Sequence, residues 1–423
     1  MSRIESITVT PIAFRDPPLL NAYGVHEAWA LRTIIEVYTE NGVYGLGESY
    51  GDEQTISQLQ AVAPALVGMD IFNLNAIRHR IAEVVEQPDP QSGLEIAPGT
   101  LGATTVPRIF SAFEVACLDL IGKLTGRPVC DLLGGKVRDS VDYSAYLFYK
   151  FERHRFTDDT WVDKWGEALT PEQIVAQAKM MIDEYGFGSI KLKAGVFEPE
   201  AEIEALRALK QAFPNHPLRI DPNGGWSVET TKRLLPLFEG GLLQYLEDPS
   251  PGKEAMGQVS AATDIPLATN MCVIGTFDLK RAIELDAVQV ILSDHHYWGG
   301  LRATQDLAAV CKIYDIGLSM HSNSHLGISL MAMTHAAAAI DNLTYACDTH
   351  YPWQEEEVIK GGKIKFENGS VRVPDAPGLG VELDREALAV LAENYRTCGI
   401  RARDDVKEMQ KYQPEWSGKI PRF

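Results

Sequence analysis

The chain has 423 residues, a mass of 46.7 kDa, 45% hydrophobic and 23% charged residues, a balance that excludes intrinsic disorder as the main state and supplies enough core for two domains, or one barrel with an attachment. With 39 Lys and Arg against 58 Asp and Glu the formal charge is −19, which argues against nucleic acid or an anionic membrane as the main partner and leaves room for a small anion met by a local metal or basic cluster. Cys117, Cys130, Cys272, Cys311, Cys347 and Cys398 are scattered, which fits neither a zinc site nor a disulfide framework; with no signal-peptide pattern and no run of about 18 apolar residues, a reducing cytoplasm is expected.

Three regions separate by pattern. In residues 1–130, positions 4–12 alternate in strand fashion and 31–38 are rich in Ile, Val and Thr. Asn41 and Gly42 stand between two such runs, a strong hairpin signal. The helical stretch FSAFEVACLDLIGKLTG ends at a glycine. These features predict an α+β domain.

Residues 131–355 have another rhythm. VDYSAYLFY, GSIKLKAG, PLRIDPN, LLQYLEDP, IPLATNM, AVQVILSD, IGLSMHS and LTYACDT are short apolar strands, with helical stretches between most of them. Alternating β and α segments imply parallel strands joined by right-handed crossovers, and eight of them a barrel. The polar insert at 150–169 reads as a loop. Residues 356–423 hold a Gly-rich hairpin in KGGKIKFENGSVRVPDAPGLG, a helix starting near Asp384 and a charged tail, RARDDVKEMQ. This region is too short for an independent core and is expected to pack on the first domain.

The chemistry lies in the phase of polar residues against the strands. Lys193, Asp221, Glu247, Asn270, Asp294 and His321 each end a strand, at spacings of 28, 26, 23, 24 and 27 residues, close to one βα repeat. One such residue is usually a cap or a loop hydrogen bond. Six in phase at the C-terminal ends converge on the mouth of a barrel, where barrel active sites lie.

Asp221, Glu247 and Asn270 offer oxygen only, which suits Mg²⁺. The competing reading is salt bridges from Lys191 and Lys193; converging carboxylates otherwise repel unless a cation neutralises them. Glu254, in the loop after the fourth strand, is a weaker oxygen donor. Lys193 and His321 flank the metal strands as candidate bases, and Asp294 can hydrogen-bond the His321 ring as in a His–Asp dyad. For His295 and His296 a loop or core role is expected.

The set KLK, DPNGGW, EDP, ATN, SDHHYW and HSNSHLGIS resembles the enolase superfamily, and within it the glucarate dehydratase group of mandelate racemase/muconate lactonizing enzyme-like proteins. NAYGVH, SAYLFY, DTHYPWQE and IRARDDVKEMQ extend the likeness through nearly the whole chain. The loop after EDP is shorter than in that group, which keeps Glu247 and Glu254 open as the second metal ligand.

The resemblance implies a (β/α)7β TIM-like barrel capped by an α+β domain built from both termini. It implies contacts to a diacid from His26, Thr100, Tyr146, Lys191, Asn223, Asn270, Ser322, Asn323, His350 and Arg403. It also implies Mg²⁺-dependent dehydration of glucarate or a close aldarate. Lys193 or His321 would take the α-proton, Lys191 would add positive charge, and the β-hydroxyl would leave with His321 as acid. The alternatives are a racemase or epimerase on the same scaffold and a sugar-acid binding protein without turnover. A homo-oligomer is expected, since such barrels are often symmetric assemblies.

Overall fold

The computed structural model describes residues 2–85, 104–156, 160–238 and 240–423. Strands β1 (Ile4–Arg15), β2 (Trp29–Thr39) and β3 (Tyr44–Tyr50) form an antiparallel sheet in that order. The β2–β3 turn falls at Asn41 and Gly42, and Gly42 takes φ 76°, a conformation open to glycine. Helices α1 (Glu53–Leu66) and α3 (Thr105–Thr125) cover this sheet, and α2 (Leu74–Val84) packs on those two helices. Helix α3 lies directly on β3. A Cβ on Gly45 or Gly47 would come within 2.0 Å of the Ala116 carbonyl oxygen or 2.1 Å of that of Ala112, so this close approach requires glycine. The expected helix stop is Gly126, in the left-handed conformation at φ 69°.

After the short α4 (Val129–Leu132) come eight parallel strands: β4 (Ser140–Phe148), β5 (Ile190–Lys193), β6 (Leu218–Asp221), β7 (Tyr245–Glu247), β8 (Leu267–Thr269), β9 (Val290–Ser293), β10 (Gly317–Met320) and β11 (Cys347–Thr349). Their connections carry α5 (Pro171–Tyr185), α6 (Pro199–Ala212), α7 (Val228–Leu234), α8 (Lys253–Ser260), α9 (Thr276–Glu284), α10 (His295–Trp298), α11 (Leu301–Ile313) and α12 (Gly327–Ala339). The sheet order is β10-β9-β8-β7-β6-β5-β4-β11. Thr344 N donates to Leu318 O at 2.9 Å and Ser319 Oγ to Ala346 O at 2.9 Å, bringing the two ends of the sheet together. The result is a (β/α)7β barrel with an α+β cap. Its strands are near-continuous buried runs, as parallel strands covered on both faces should be.

The last region returns to both bodies. The expected hairpin is only a tight turn: Asn368 and Gly369, both at positive φ, are bracketed by a Glu367–Ser370 bridge. Strand β12 (Ser370–Arg372) then pairs antiparallel with residues 140–142 of β4. The open edge of β4 outcompetes a hairpin mate because it supplies a ready ladder. Helix α13 (Arg385–Thr397) is capped by Asp384 and packs on β1. The charged tail forms a further helix, α14 (Asp405–Tyr412), capped by Asp404. Among the described residues no helix is long and apolar enough to cross a membrane.

Candidate active site

Strand alternation sets the mouth of the barrel. On β5, Lys191 and Lys193 are two residues apart and therefore share a face. Lys193 Nζ lies 2.6 Å from Asp221 Oδ2, at the end of β6. Lys191 Nζ donates to Glu247 Oε1 on β7 and to Asp348 Oδ2 on β11, both at 2.6 Å, and lies 3.5 Å from Asp221 Oδ2. It also sits over the Tyr146 ring, 4.5 Å from its centroid. All these groups are buried.

The electrostatics follow from that burial. Desolvation disfavours an ammonium at Lys191, but Asp348 and Glu247 outweigh it and hold its pKa well above the ordinary lysine value. Asp221 is held low against burial by Lys193 and Lys191. Burial, with Asp221 and Asp348 as like-charged neighbours, pushes Glu247 well up despite Lys191. The lysine salt bridges weighed against a metal are thus formed, yet they leave donors over. Glu247 Oε2 and both side-chain amide atoms of Asn270 are buried without a hydrogen-bond partner among the described residues. Buried polar atoms are rarely left unmet, and three oxygen-bearing side chains on adjacent strands suit a hard divalent cation. The residues present fit Mg²⁺. Asp248 braces this edge: it accepts from Thr269 Oγ1 at 2.6 Å and from Asn270 N at 2.8 Å, and burial raises its pKa to about 7.

Across the mouth, His321 Nδ1 is 3.0 Å from Asp294 Oδ2. That leaves Nε2 as the ring's second nitrogen for proton transfer. The other carboxylate oxygen, Oδ1, is taken by His296 through Nδ1 at 2.7 Å and backbone N at 3.0 Å. Burial opposes the Asp294 charge, but His296 and His321 together hold its pKa well below the usual carboxylate range. Asp294, His295 and His296 bring ligand atoms within 4.8 Å of one another, but the guanidinium of Arg32, 2.7 Å from His296 Nε2, already fills a cation's place there.

The outer candidates divide. Tyr146 OH donates to Asp221 Oδ2 at 3.4 Å. Asn223 N donates to Asp221 Oδ1 at 2.9 Å, and Asn223 takes the left-handed φ of 58° that this turn needs. Ser322 Oγ accepts from His350 N at 3.0 Å, tying the ends of β10 and β11. The His350 ring meets Tyr146 and Phe148 at 4.8 and 5.1 Å, and burial followed by His26 and His321 pushes its pKa well below the ordinary imidazole value. Asn323 Nδ2 donates to Tyr50 OH at 3.0 Å and lies 3.4 Å from Asp294 Oδ2.

His26 reaches this cluster from the cap, edge-on to Phe148 and 3.0 Å from Asp16 Oδ2. Arg403 comes from the C-terminal tail, but its fork is closed on Asp405, with Nε–Oδ1 2.6 Å and Nη2–Oδ2 2.5 Å. Arg403 thus pairs locally, with a residue two positions along the chain. Asp405 also accepts from Asn21 at 2.7 Å, beside the loop that carries His26. Glu254 stands apart: it is exposed on α8 and paired with Arg281 at 3.1 Å. Of the two acidic candidates for the second ligand, only Glu247 lies with Asp221. Thr100 lies outside the described residues.

Sequence reasoning passed over Asp348, Arg32, Glu48 and the role of His296. Asp348 carried a usable signal, a charged residue at an inward position of the last strand. Arg32 and Glu48 are charged residues inside apolar cap strands, but nothing local tells which body they enter.

Two family models match the chain: Mandelate racemase / muconate lactonizing enzyme, N-terminal domain, over residues 3–134, and Enolase C-terminal domain-like over 173–387. The chain is 50% identical to a probable glucarate dehydratase of Streptomyces coelicolor, over 99% of both chains. An enolase from Pseudomonas fluorescens, crystallised with magnesium, potassium and tartrate, superposes with a TM-score of 0.97 at 55% identity, over 100% of this chain and 99% of that one. An enolase from Thermobispora bispora, complexed with magnesium and formate, gives 0.96 at 53% identity over 100% of each.

Proposed function

The chain belongs to the enolase superfamily, and from that premise we propose that it is a Mg²⁺-dependent sugar-acid dehydratase whose substrate is a hydroxy diacid, D-glucarate or a related aldarate. One observation carries the reading: two candidate bases of different chemistry, Lys193 and the Asp294-held His321, flank a buried oxygen cluster that has more donors than the protein satisfies. The likeness to a probable glucarate dehydratase and to magnesium-bound relatives supports it.

Asp221, Glu247 and Asn270 would hold the cation, which when bound supplies a Lewis acid for charge developing on a substrate carboxylate. Lys193 or His321 removes the proton α to that carboxylate, according to the configuration of the carbon. The C–H electron pair moves into an enediolate, and Lys191, held charged by Asp348, faces that negative charge. The C–O bond to the β-hydroxyl then breaks, and protonated His321 gives its proton to the departing oxygen, releasing water. The enol formed tautomerises to a keto-deoxy diacid. His26, Tyr146, Asn223, Ser322, Asn323, His350 and Arg403 are the proposed contacts to the rest of the diacid. Thr100 completes the set proposed from sequence.

The test is incubation of the purified protein with a panel of aldarates and Mg²⁺. A keto acid from at least one is expected. Stereochemical scrambling without keto acid would replace the reading with an epimerase, and tight binding without either would replace it with a sensor.

A further inference from the structure

The carboxylate of Asp294 serves two imidazoles. Its Oδ2 faces His321 Nδ1 at 3.0 Å and its Oδ1 faces His296 Nδ1 at 2.7 Å. The opposite nitrogen of His296, Nε2, lies 2.7 Å from Arg32 Nη2 and 2.8 Å from Ser329 Oγ. An arginine nitrogen only donates, so Nε2 accepts, and the single ring proton of His296 sits on Nδ1, aimed at Asp294. Arg32 is set in turn by the cap. Its Nε donates to Glu48 Oε1 at 2.9 Å, its guanidinium lies 5.0 Å from the Tyr50 ring centre, and Nη1 reaches Asn323 Oδ1 at 3.3 Å. Glu48 accepts from Leu326 N and Ser329 N, both at 2.9 Å, at the start of α12. Arg32, Glu48, Asp294 and His296 are each no more than 2% exposed.

We infer that His296 is a positioning residue for the Asp294–His321 dyad and that Arg32, from the capping domain, holds the His296 ring in place through Nε2. A carboxylate anchored at one oxygen cannot turn its other oxygen away from His321. The dyad is therefore completed by two bodies: the barrel supplies the base and its carboxylate, and the cap supplies the cation that orients the second imidazole. This rests on the reading of His321 as a base.

The experiment follows α-proton exchange in D₂O on paired epimers of an aldarate, with Mg²⁺ present, so that the His321 and Lys193 faces are read separately. His296→Ala should slow the His321-dependent exchange by about ten- to a hundredfold, the range seen for outer-shell partners of metal-bound histidines, and leave the Lys193-dependent exchange near wild type. His296→Asn, whose amide can donate where Nδ1 did, should recover most of the loss. Equal loss on both faces, or no loss on either, would overturn the inference. A second measurement stands free of turnover: nitrogen-15 spectra of the histidines should show His296 protonated at Nδ1 in the wild type and its Nε2 resonance moved in Arg32→Met, where the donor to that nitrogen is gone. A proton on Nε2 in the wild type overturns the inference whatever the activity. If His321→Asn leaves all exchange intact, the base assignment itself fails, an outcome distinct from a silent His296→Ala beside an inactive His321→Asn.

Discussion

Nζ of Lys193 lies 2.6 Å from Oδ2 of Asp221, so the candidate base on one strand and the candidate metal ligand on the next are joined directly. Asp221 also lies 3.5 Å from Lys191. One carboxylate thus faces two lysines, and a cation drawing on it would loosen both contacts.

Replacing that carboxylate is accordingly the most informative single change. Asp221→Asn keeps the shape and removes the charge. Mg²⁺ binding, followed by titration calorimetry, should be lost together with keto-acid formation. Full turnover in excess chelator would contradict the metal assignment.

Glu247→Gln and Glu254→Gln should behave oppositely. Glu247 is buried with one oxygen unmatched, so its variant should lose Mg²⁺ affinity and activity. Glu254 makes only an exposed pair with Arg281, worth about 0–1 kcal/mol, so its variant should keep wild-type turnover. Steady-state assays against Mg²⁺ concentration read the difference.

Lys193→Met and His321→Asn should each reduce dehydration by about 10²–10⁴-fold, the usual contribution of a positioned acid or base. Each should still exchange the α-proton of the one epimer served by the surviving base. Asp294→Asn should weaken only the His321 face, because it keeps the ring but disturbs tautomer and basicity. Identical exchange by both base variants would contradict the opposing-face arrangement.

Glu114 on α3 gives a pH test of the joint between cap and barrel. Its Oε2 accepts from Leu301 N at 2.6 Å, its Oε1 has no hydrogen-bond partner among the described residues, and burial raises its pKa to about 7 from 4.5. A carboxyl raised in the folded state binds more protons folded than unfolded between those values. Its stabilising contribution is therefore complete below about pH 4.5 and lost as pH rises through about 7. The expected loss is on the order of 3 kcal/mol. Glu114→Gln should remove that part of the pH dependence, seen as a flatter difference in denaturation midpoint between pH 4.5 and 8.

Arg403 separates two roles on one residue. Its fork is closed on buried Asp405, so Arg403→Ala should cost about 1–3 kcal/mol of stability by leaving that acid short of a partner. If Arg403 also turns to a distal substrate carboxylate, kcat/KM for the diacid should fall while a mono-acid analogue is spared. Equal effects on both substrates would leave it a structural residue of the tail.

The periodic part of this protein was legible in the amino-acid order alone. A polar residue closing each βα repeat reads directly as Lys193, Asp221, Glu247, Asn270, Asp294 and His321 at one mouth, because strand ends in a parallel barrel are brought together by the repeat itself. The cap hairpin at Asn41 and Gly42 and the stop of α3 at Gly126 were legible for a similar reason: backbone conformation is a local property. Tertiary structure alone decided who neutralises whom. Lys191 meets Asp348 from a strand 157 residues away. Arg32 crosses from cap to barrel to meet His296, 264 residues on. Arg403 closes on Asp405, two residues along the chain. A buried charge takes whichever partner packing delivers, near or far, and no spacing rule records that choice.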